Sequence, residues 1–204
     1  MTNKELVERA NKLLNLKTLY VLGGIGQPLN DANKKALINQ YDYNKNRAEL
    51  IREQSADTFA FDCSGMIKSI LWGFTGDVSK DLGGAIYKSN GVPDVNANNL
   101  FAMSEHKSTD FTNIPLGALL HNDGHVGIYT GCGCAIECTY RGKDGVQLTI
   151  VKNIKSSDNS CIISRTWKEW ARCYGVTYEE TDEAKELLDD IYNQLRLAKE
   201  KGVF

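Results

Sequence analysis

The residue with the clearest chemical potential is Cys63, which stands where an apolar helical pattern begins. Asp62, just before it, is a residue type that caps helix N-termini. The apolar positions that follow have the spacing of a helix with one buried face: Cys63, Met66, Ile67, Ile70 and Leu71. A thiol in the first helical turn lies at the positive end of the helix dipole, which favours the thiolate. A buried structural cysteine would produce the same pattern, so this stretch alone leaves catalysis and packing equally open.

A nucleophilic cysteine needs a base, usually histidine, and a third group that orients the base. His125 opens one strand-like run, and Glu137 lies in the middle of the next. A hairpin turn centred on Cys132 would place Glu137 diagonal to His125, whereas a turn centred on Gly131 would pair the two directly. Either register puts the imidazole and the carboxylate on the same face of a sheet. The sequence therefore predicts a histidine–carboxylate pair that could serve a nucleophile.

The remaining cysteines and histidines offer weaker chemistry. Cys132, Cys134 and Cys138 are close enough in the chain to suggest a metal cluster. No paired C-x-x-C spacing accompanies them, and Cys138 points to the opposite face of its strand from the predicted orienting glutamate. We therefore predict no metal and no cofactor. His106 and His121 lie in turn-like contexts without an acidic partner, so we predict no role for them.

Helical patterns dominate the first half of the chain, and strand patterns dominate the second. Apolar periodicity predicts an N-terminal helix, polar helices between 31 and 54, and the helix that carries Cys63. Residues 77–113 are irregular and predict a long surface excursion with one short helix near 97–103. Short strands separated by glycine-rich turns follow between 118 and 167. This order, with helices first and sequential hairpins afterwards, predicts an α+β fold with an antiparallel sheet.

The end of the chain reads as a separate unit, which divides the protein into a domain over residues 1–175 and a helical appendage over 176–204. The appendage carries one apolar stripe on a predicted amphipathic helix: Ala184, Leu187, Leu188, Ile191, Leu195 and Ala198. This helix either packs on the domain or serves as a partner-binding, dimerising or linker helix.

Composition excludes several classes of protein. Apolar residues make up 42% and charged residues 25% of the chain, which is ordinary for a globular domain. The net charge of −2 provides no basic field for nucleic acid, and no apolar run is long enough for membrane insertion. Six cysteines in 204 residues are too few for a disulfide scaffold. Because the N-terminus lacks an apolar signal core, we expect a protein that is cytoplasmic when made.

Three stretches, in the correct order, resemble the NlpC-type cell-wall cysteine peptidases (the NlpC and p-sixty group), which have a circularly permuted papain-like fold. The stretches are Tyr20-Val21-Leu22-Gly23-Gly24, similar to Tyr-Val-Trp-Gly-Gly of the family; Phe61-Asp62-Cys63-Ser64-Gly65, similar to its Asp-Cys-Ser-Gly motif; and Gly124-His125-Val126-Gly127-Ile128-Tyr129, similar to its His-Val-Gly-Ile-Tyr strand. Within the group, the chain looks most like hydrolases of Gram-positive bacteria and their phages.

The resemblance implies a role for each matching residue. Cys63 would be the nucleophile, and His125 would be the general base and then the general acid. Glu137 takes the orienting position, where the family often has His, Asn or Gln. Tyr20 would assist the backbone N–H of Cys63 in stabilising the oxyanion. The side chains next to the nucleophile, Asp62 and Ser64, would line the substrate end of the site.

The function that follows is hydrolysis of an amide bond in the stem peptide of peptidoglycan, as an endopeptidase or an N-acetylmuramoyl-L-alanine amidase. The resemblance also implies an endolysin-like enzyme, which reaches the cell wall after release from the cytoplasm. Two alternatives stay open. One is a papain-like amidase or acyltransferase with a substrate outside the wall. The other is a weakly active module on the same fold that binds the wall or a partner.

Overall fold

The computed structural model describes residues 1–155, 161 and 163–178. Its helices are α1 (Asn3–Leu13), α2 (Asp31–Gln40), α3 (Asp42–Lys45), α4 (Ala48–Glu53), α5 (Cys63–Leu71) and α6 (Ala97–Met103), with a 3₁₀ turn at Asp81–Gly84. Its strands are β1 (Thr18–Tyr20), β2 (Ile25–Pro28), β3 (Phe59–Phe61), β4 (Glu105–Ser108), β5 (Leu119–Asn122), β6 (His125–Gly131), β7 (Cys134–Thr139), β8 (Gly145–Val151), β9 (Ser164–Arg165) and β10 (Glu169–Arg172). The predicted α+β class is confirmed. The amphipathic helix predicted within 176–204 lies outside the described residues, which end at 178.

The larger sheet has seven strands in the order β4-β10-β5-β6-β7-β8-β9. The hairpins β5–β6, β6–β7 and β7–β8 are antiparallel, as the sequence predicts. The prediction of an antiparallel sheet is wrong at one edge, where β9 runs parallel to β8 and Ile150 pairs with Ser164. A strand of two residues has too little alternation for its direction to be predicted from the sequence.

A second, three-stranded sheet has the order β1-β3-β2 and leads directly into α5. β1 and β3 are parallel, with Thr18 opposite Phe59, although these two residues are 41 positions apart in the chain. β2 lies antiparallel on the other side of β3. The sheet ends at Phe61, where the Asp62 amide donates to the Gly24 carbonyl at 2.9 Å. This second sheet therefore fixes the point at which α5 begins.

Helix α5 is buried along its whole length and packs on the larger sheet. Its N-cap is Asp62, whose side chain accepts a hydrogen bond from the Gly65 amide. The apolar side of the helix contacts the sheet face that carries Val126, Ile128 and Ile136. Full burial of an aliphatic side chain of this kind contributes roughly 1.5–3 kcal/mol to stability. The central helix is therefore held in place by the core that it completes.

The excursion predicted between 77 and 113 is present, and its short helix is α6. It also contributes β4 to the edge of the larger sheet, which was not predicted. Trp72, after the end of α5, donates from Nε1 to the Val92 carbonyl at 2.8 Å and ties the excursion to the core. None of the helices in the part of the chain that the structure describes has both the length and the apolar character needed to cross a membrane.

Candidate active site

Cys63 is the first residue of α5, as predicted, and its sulfur lies beside the start of β6. The Sγ atom is 3.7 Å from the Gly124 carbonyl oxygen, and the backbone amide of Val126 donates to the sulfur. These two residues are the chain neighbours of His125 on either side. The fold therefore brings the predicted nucleophile to the chain neighbours of its predicted base, with 61 positions of sequence between Cys63 and Gly124.

The thiol of Cys63 is 6% exposed, and its surroundings favour the protonated form. Burial, together with the adjacent Asp62 carboxylate, raises the pKa of Cys63 to about 12. The backbone amides of Val126, Ser64 and Cys63 itself act in the opposite direction. The expectation that the helix N-terminus would favour a thiolate is therefore wrong for this state of the site, because desolvation outweighs the amides. A base has to remove the proton when the sulfur reacts.

His125 and Glu137 form the predicted pair, with Nε2 of the imidazole 2.5 Å from Oε2 of the carboxylate. In the β6–β7 hairpin, Ile128 lies opposite Ile136. The same register places Glu137 opposite Gly127 and diagonal to His125, which is the arrangement predicted for a turn centred on Cys132. Because Glu137 occupies Nε2, the other ring nitrogen, Nδ1, is the one that can accept the thiol proton.

Glu137 is fully buried and has a second partner that the sequence analysis missed. Arg165 on β9 donates from Nε to both carboxylate oxygens, at 2.9 and 3.1 Å, and its Nη2 lies 2.8 Å from Oε2. Burial disfavours the charged carboxylate, but the hydrogen bonds from His125 and Arg165 outweigh it and hold the pKa of Glu137 below its usual value. Glu137 is therefore an ionised carboxylate at neutral pH.

Trp167 forms the wall against which the imidazole rests. Its ring stacks on His125 with a centroid separation of 5.6 Å and an interplanar angle of 13°. The same ring lies over Gly127, where an added Cβ would be 3.0 Å from the indole. The Arg165 guanidinium lies over the indole, 5.5 Å from the ring centroid. These contacts restrict the His125 ring to one plane.

Tyr20 lies at the end of β1, near enough to Cys63 to interact with it electrostatically. Burial, followed by the nearby Cys63 and Asp62 groups, raises the pKa of Tyr20 well above its usual value, so the hydroxyl is protonated and can donate. Its ring packs edge to face with Tyr43 and Tyr140, each at a centroid distance of 6.0 Å. The position agrees with the expected oxyanion role, which stays a prediction.

Asp62 and Ser64 are engaged within the protein. Asp62 accepts hydrogen bonds from the Gly23 amide at 2.9 Å and the Gly65 amide at 2.6 Å. The Ser64 hydroxyl donates to Asp62 at 3.0 Å, and Ser64 is 4% exposed. These bonds join the start of α5 to the glycine turn after Tyr20. A direct contact of Asp62 or Ser64 with a substrate stays a prediction.

The statement that His121 lacks an acidic partner is wrong. His121 lies on β5, and its Nδ1 is 3.0 Å from a carboxylate oxygen of Glu169 on β10. The two residues are 48 positions apart and face each other only because β10 pairs with β5. His106 lies on the exposed edge strand β4.

The sequence therefore predicted the positions of Cys63, His125 and Glu137 in the fold, whose catalytic roles stay predictions, but did not predict the contacts of Arg165 and Trp167 with them. One signal was present, since Arg165 and Trp167 alternate along a predicted strand and so share a face. What could not be anticipated is that this strand joins the sheet beside β8 in the parallel direction. Together, a thiol, an imidazole and an ionised carboxylate in this order are the groups needed for nucleophilic acyl transfer.

Comparison with known proteins returned no matching family model and no matching curated protein.

Proposed function

We propose that this chain is a cysteine hydrolase of the NlpC type, with a permuted papain-like fold, that cleaves an amide bond in the stem peptide of peptidoglycan. The observation that carries the proposal is the juxtaposition of the Cys63 sulfur with both chain neighbours of His125, together with the His125–Glu137 hydrogen bond of 2.5 Å. Nucleophile, base and orienting group are the three parts that a triad requires.

In the first half of the reaction, His125 takes the thiol proton through Nδ1 as the sulfur attacks the carbonyl carbon of the substrate. Because burial raises the pKa of Cys63, a base is needed to take this proton. The C–N bond then breaks, and the imidazolium returns its proton to the departing amine. The product of this half is a thioester on Cys63 and a free amine.

In the second half, His125 removes a proton from water, which attacks the thioester carbonyl. The C–S bond breaks, the carboxylic acid leaves, and the proton on His125 returns to the sulfur. The amide N–H of Cys63 and the hydroxyl of Tyr20 are the candidate donors to the oxyanion in both halves.

Glu137 and Arg165 determine the electrostatic environment of the His125 imidazole. The ionised carboxylate stabilises the imidazolium that forms twice in each cycle. Arg165 compensates the carboxylate while His125 is neutral, which removes the cost of an isolated buried charge. The site can therefore keep Glu137 ionised throughout the cycle.

The choice of substrate rests on the ordered resemblance of the three motifs. In an endolysin-like enzyme, the protein would be made in the cytoplasm and would act on the wall after release. The proposal requires no metal and no cofactor, since the three side chains supply the nucleophile and both proton transfers.

The test is to incubate purified wild-type protein and Cys63→Ala with peptidoglycan and to identify the released fragments by mass spectrometry. Cys132→Ala is the matched control, because Cys132 is an exposed cysteine in the turn of the β6–β7 hairpin. We expect release by the wild type and by Cys132→Ala, and none by Cys63→Ala.

The fragments also identify the bond. A free lactyl group on muramic acid would indicate an amidase, whereas a cut within the stem peptide would indicate an endopeptidase. Absence of new fragments with the wild type would contradict a wall substrate. Equal release by Cys63→Ala would contradict the cysteine mechanism.

A further inference from the structure

The turn between β5 and β6 lies directly against the nucleophile. Asn122 pairs with His125 across it, so the turn consists of Asp123 and Gly124. The Gly124 carbonyl contacts the Cys63 thiol at 3.7 Å, and His125 follows immediately in the chain. The position of this turn therefore sets the surroundings of the sulfur and the point from which the His125 side chain extends.

Asn98 on α6 holds this turn with both ends of its side-chain amide. Its Oδ1 accepts a hydrogen bond from the Gly124 amide at 2.7 Å, and its Nδ2 donates to the Asp123 carboxylate at 2.8 Å. A backbone amide can only donate, and an ionised carboxylate can only accept. The orientation of the Asn98 side chain is therefore fixed by its partners.

The ring of His121 connects Asn98 to Glu169. Nε2 lies 3.0 Å from Oδ1 of Asn98, and Nδ1 lies 3.0 Å from Oε1 of Glu169. Because Oδ1 of Asn98 can only accept, Nε2 of His121 is the donor in this hydrogen bond. Phe101 stacks on this ring with a centroid distance of 4.2 Å and an interplanar angle of 9°. This stacking further fixes the plane of the His121 ring.

We propose that Asn98 is a positioning residue for the hydrolysis proposed above, held in place by the hydrogen-bonded His121–Glu169 pair. It acts on the sulfur and on His125 through the Asp123–Gly124 turn. A misplacement of about 1 Å in a reacting group costs about 10²-fold in rate, so the loss of these hydrogen bonds should lower turnover. The effect on turnover rests on the proposed function, whereas the effect on the reactivity of the Cys63 thiol does not.

The test compares Asn98→Ala with Asn99→Ala, its neighbour of the same residue type on the same helix, also exposed. A third variant, Asn98→Asp, keeps an acceptor for the Gly124 amide but opposes the Asp123 carboxylate. The double variant Asn98→Asp with Asp123→Asn reverses donor and acceptor and restores every hydrogen bond of the turn.

Two assays are run on each variant. One is steady-state kinetics, which gives kcat and KM on a soluble stem-peptide fragment. The other measures the rate of Cys63 alkylation by iodoacetamide at neutral pH. Mass spectrometry follows this alkylation on tryptic peptide 53–68, in which Cys63 is the one cysteine. Thermal unfolding of each variant shows whether the fold is intact.

We expect kcat of Asn98→Ala to fall about 10²-fold while KM changes by less than about threefold, since binding groups are untouched. Alkylation of Cys63 should slow about tenfold. The backbone amide of Val126, which follows the turn and His125, would no longer be held where it donates to the sulfur and stabilises the thiolate. The double variant should recover both rates relative to Asn98→Asp. Alkylation of Asn98→Ala as fast as that of Asn99→Ala, or a double variant no better than Asn98→Asp, would overturn the proposal. A wild type that hydrolyses nothing would contradict the proposed function alone, since the alkylation rates would still decide the positioning role.

Discussion

The carboxylate of Glu137 is fully buried, and it is hydrogen-bonded to two basic side chains, His125 and Arg165. Glu137 is hydrogen-bonded to His125, which becomes charged in the proposed reaction, and to Arg165, which is always charged. A neutral amide at this position could orient the imidazole but could not stabilise an imidazolium to the same degree. Glu137 in this chain therefore offers electrostatic stabilisation as well as orientation.

The first prediction concerns this charge. Glu137→Gln preserves the shape of the side chain and removes its charge, so we expect kcat to fall roughly 10²–10⁴-fold with little change in KM. Asp57→Asn is the control, since Asp57 is an exposed carboxylate paired with Lys17. Steady-state kinetics on a stem-peptide fragment measure kcat and KM for both variants. Undiminished turnover of Glu137→Gln would mean that orientation by hydrogen bonding suffices.

The second prediction concerns stability and pH. The pKa of Glu137 in the folded state is lower than its ordinary value of 4.5, so ionisation of this group stabilises the fold above that value. The contribution disappears as the pH falls through the folded-state pKa. The difference in unfolding free energy between wild type and Glu137→Gln should therefore be largest above about pH 5 and shrink below about pH 4. Urea unfolding at a series of pH values measures it, and a difference that grows on acidification would contradict the assignment.

At the scale of the elements, the start of α5 fits against the glycine turn that follows β1. A Cβ on Gly65 would lie 1.9 Å from the carbonyl oxygen of Gly24, which is shorter than any allowed contact. The same carbonyl accepts the hydrogen bond of the Asp62 amide at 2.9 Å. Residue 65 has to be glycine because the helix start and the turn share this space.

The third prediction follows from this contact. Gly65→Ala should destabilise the fold by about 3 kcal/mol or more, because the obstruction is backbone and cannot rotate away. Gly73, just beyond the other end of α5, provides the comparison, since an added Cβ there meets nothing within 4 Å. Gly73→Ala should cost only the backbone strain of its positive φ, about 1–2 kcal/mol. Urea unfolding measures the stability of both variants, and equal losses of unfolding free energy would contradict the steric explanation.

At the scale of the whole molecule, an ion pair fastens the 77–113 excursion to the central helix. The Lys68 side chain on α5 is 5% exposed and pairs with Asp94, which also accepts a hydrogen bond from the Tyr87 hydroxyl at 2.9 Å. Although burial opposes the charge, Lys68 and Tyr87 hold the pKa of Asp94 below its usual value. The excursion continues from Asp94 into α6, so this ion pair supports the segment that carries Asn98.

The fourth prediction is that Asp94→Asn destabilises the protein by about 2 kcal/mol, because it leaves the buried Lys68 ammonium without a counter-charge. The double variant Lys68→Met with Asp94→Asn should recover most of this loss. Asp42→Asn removes an exposed ion pair with Lys45 and should change the stability little. Thermal unfolding of the wild type and these three variants measures the changes in stability. A double variant less stable than Asp94→Asn would contradict the explanation by an unpaired buried charge.

The sequence by itself determined the parts of this protein that depend on local order. Helical spacing after Asp62 placed Cys63 at the start of α5, and strand alternation placed His125 and Glu137 on one face of a hairpin. These predictions succeeded because caps, periodicity and short turns act over a few residues. The α+β class followed from the same local patterns, taken in sequence.

Only the tertiary structure decided what surrounds these residues. Arg165 reaches Glu137, and Glu169 reaches His121, because β9 and β10 join the sheet at positions that no local pattern specifies. The protonation of Cys63 was also decided there, since burial outweighs the amides of the helix start. Pairing between distant strands depends on the whole core, and desolvation depends on every element that excludes water. A sequence can therefore indicate which side chains react, while the folded chain sets their charge and their position.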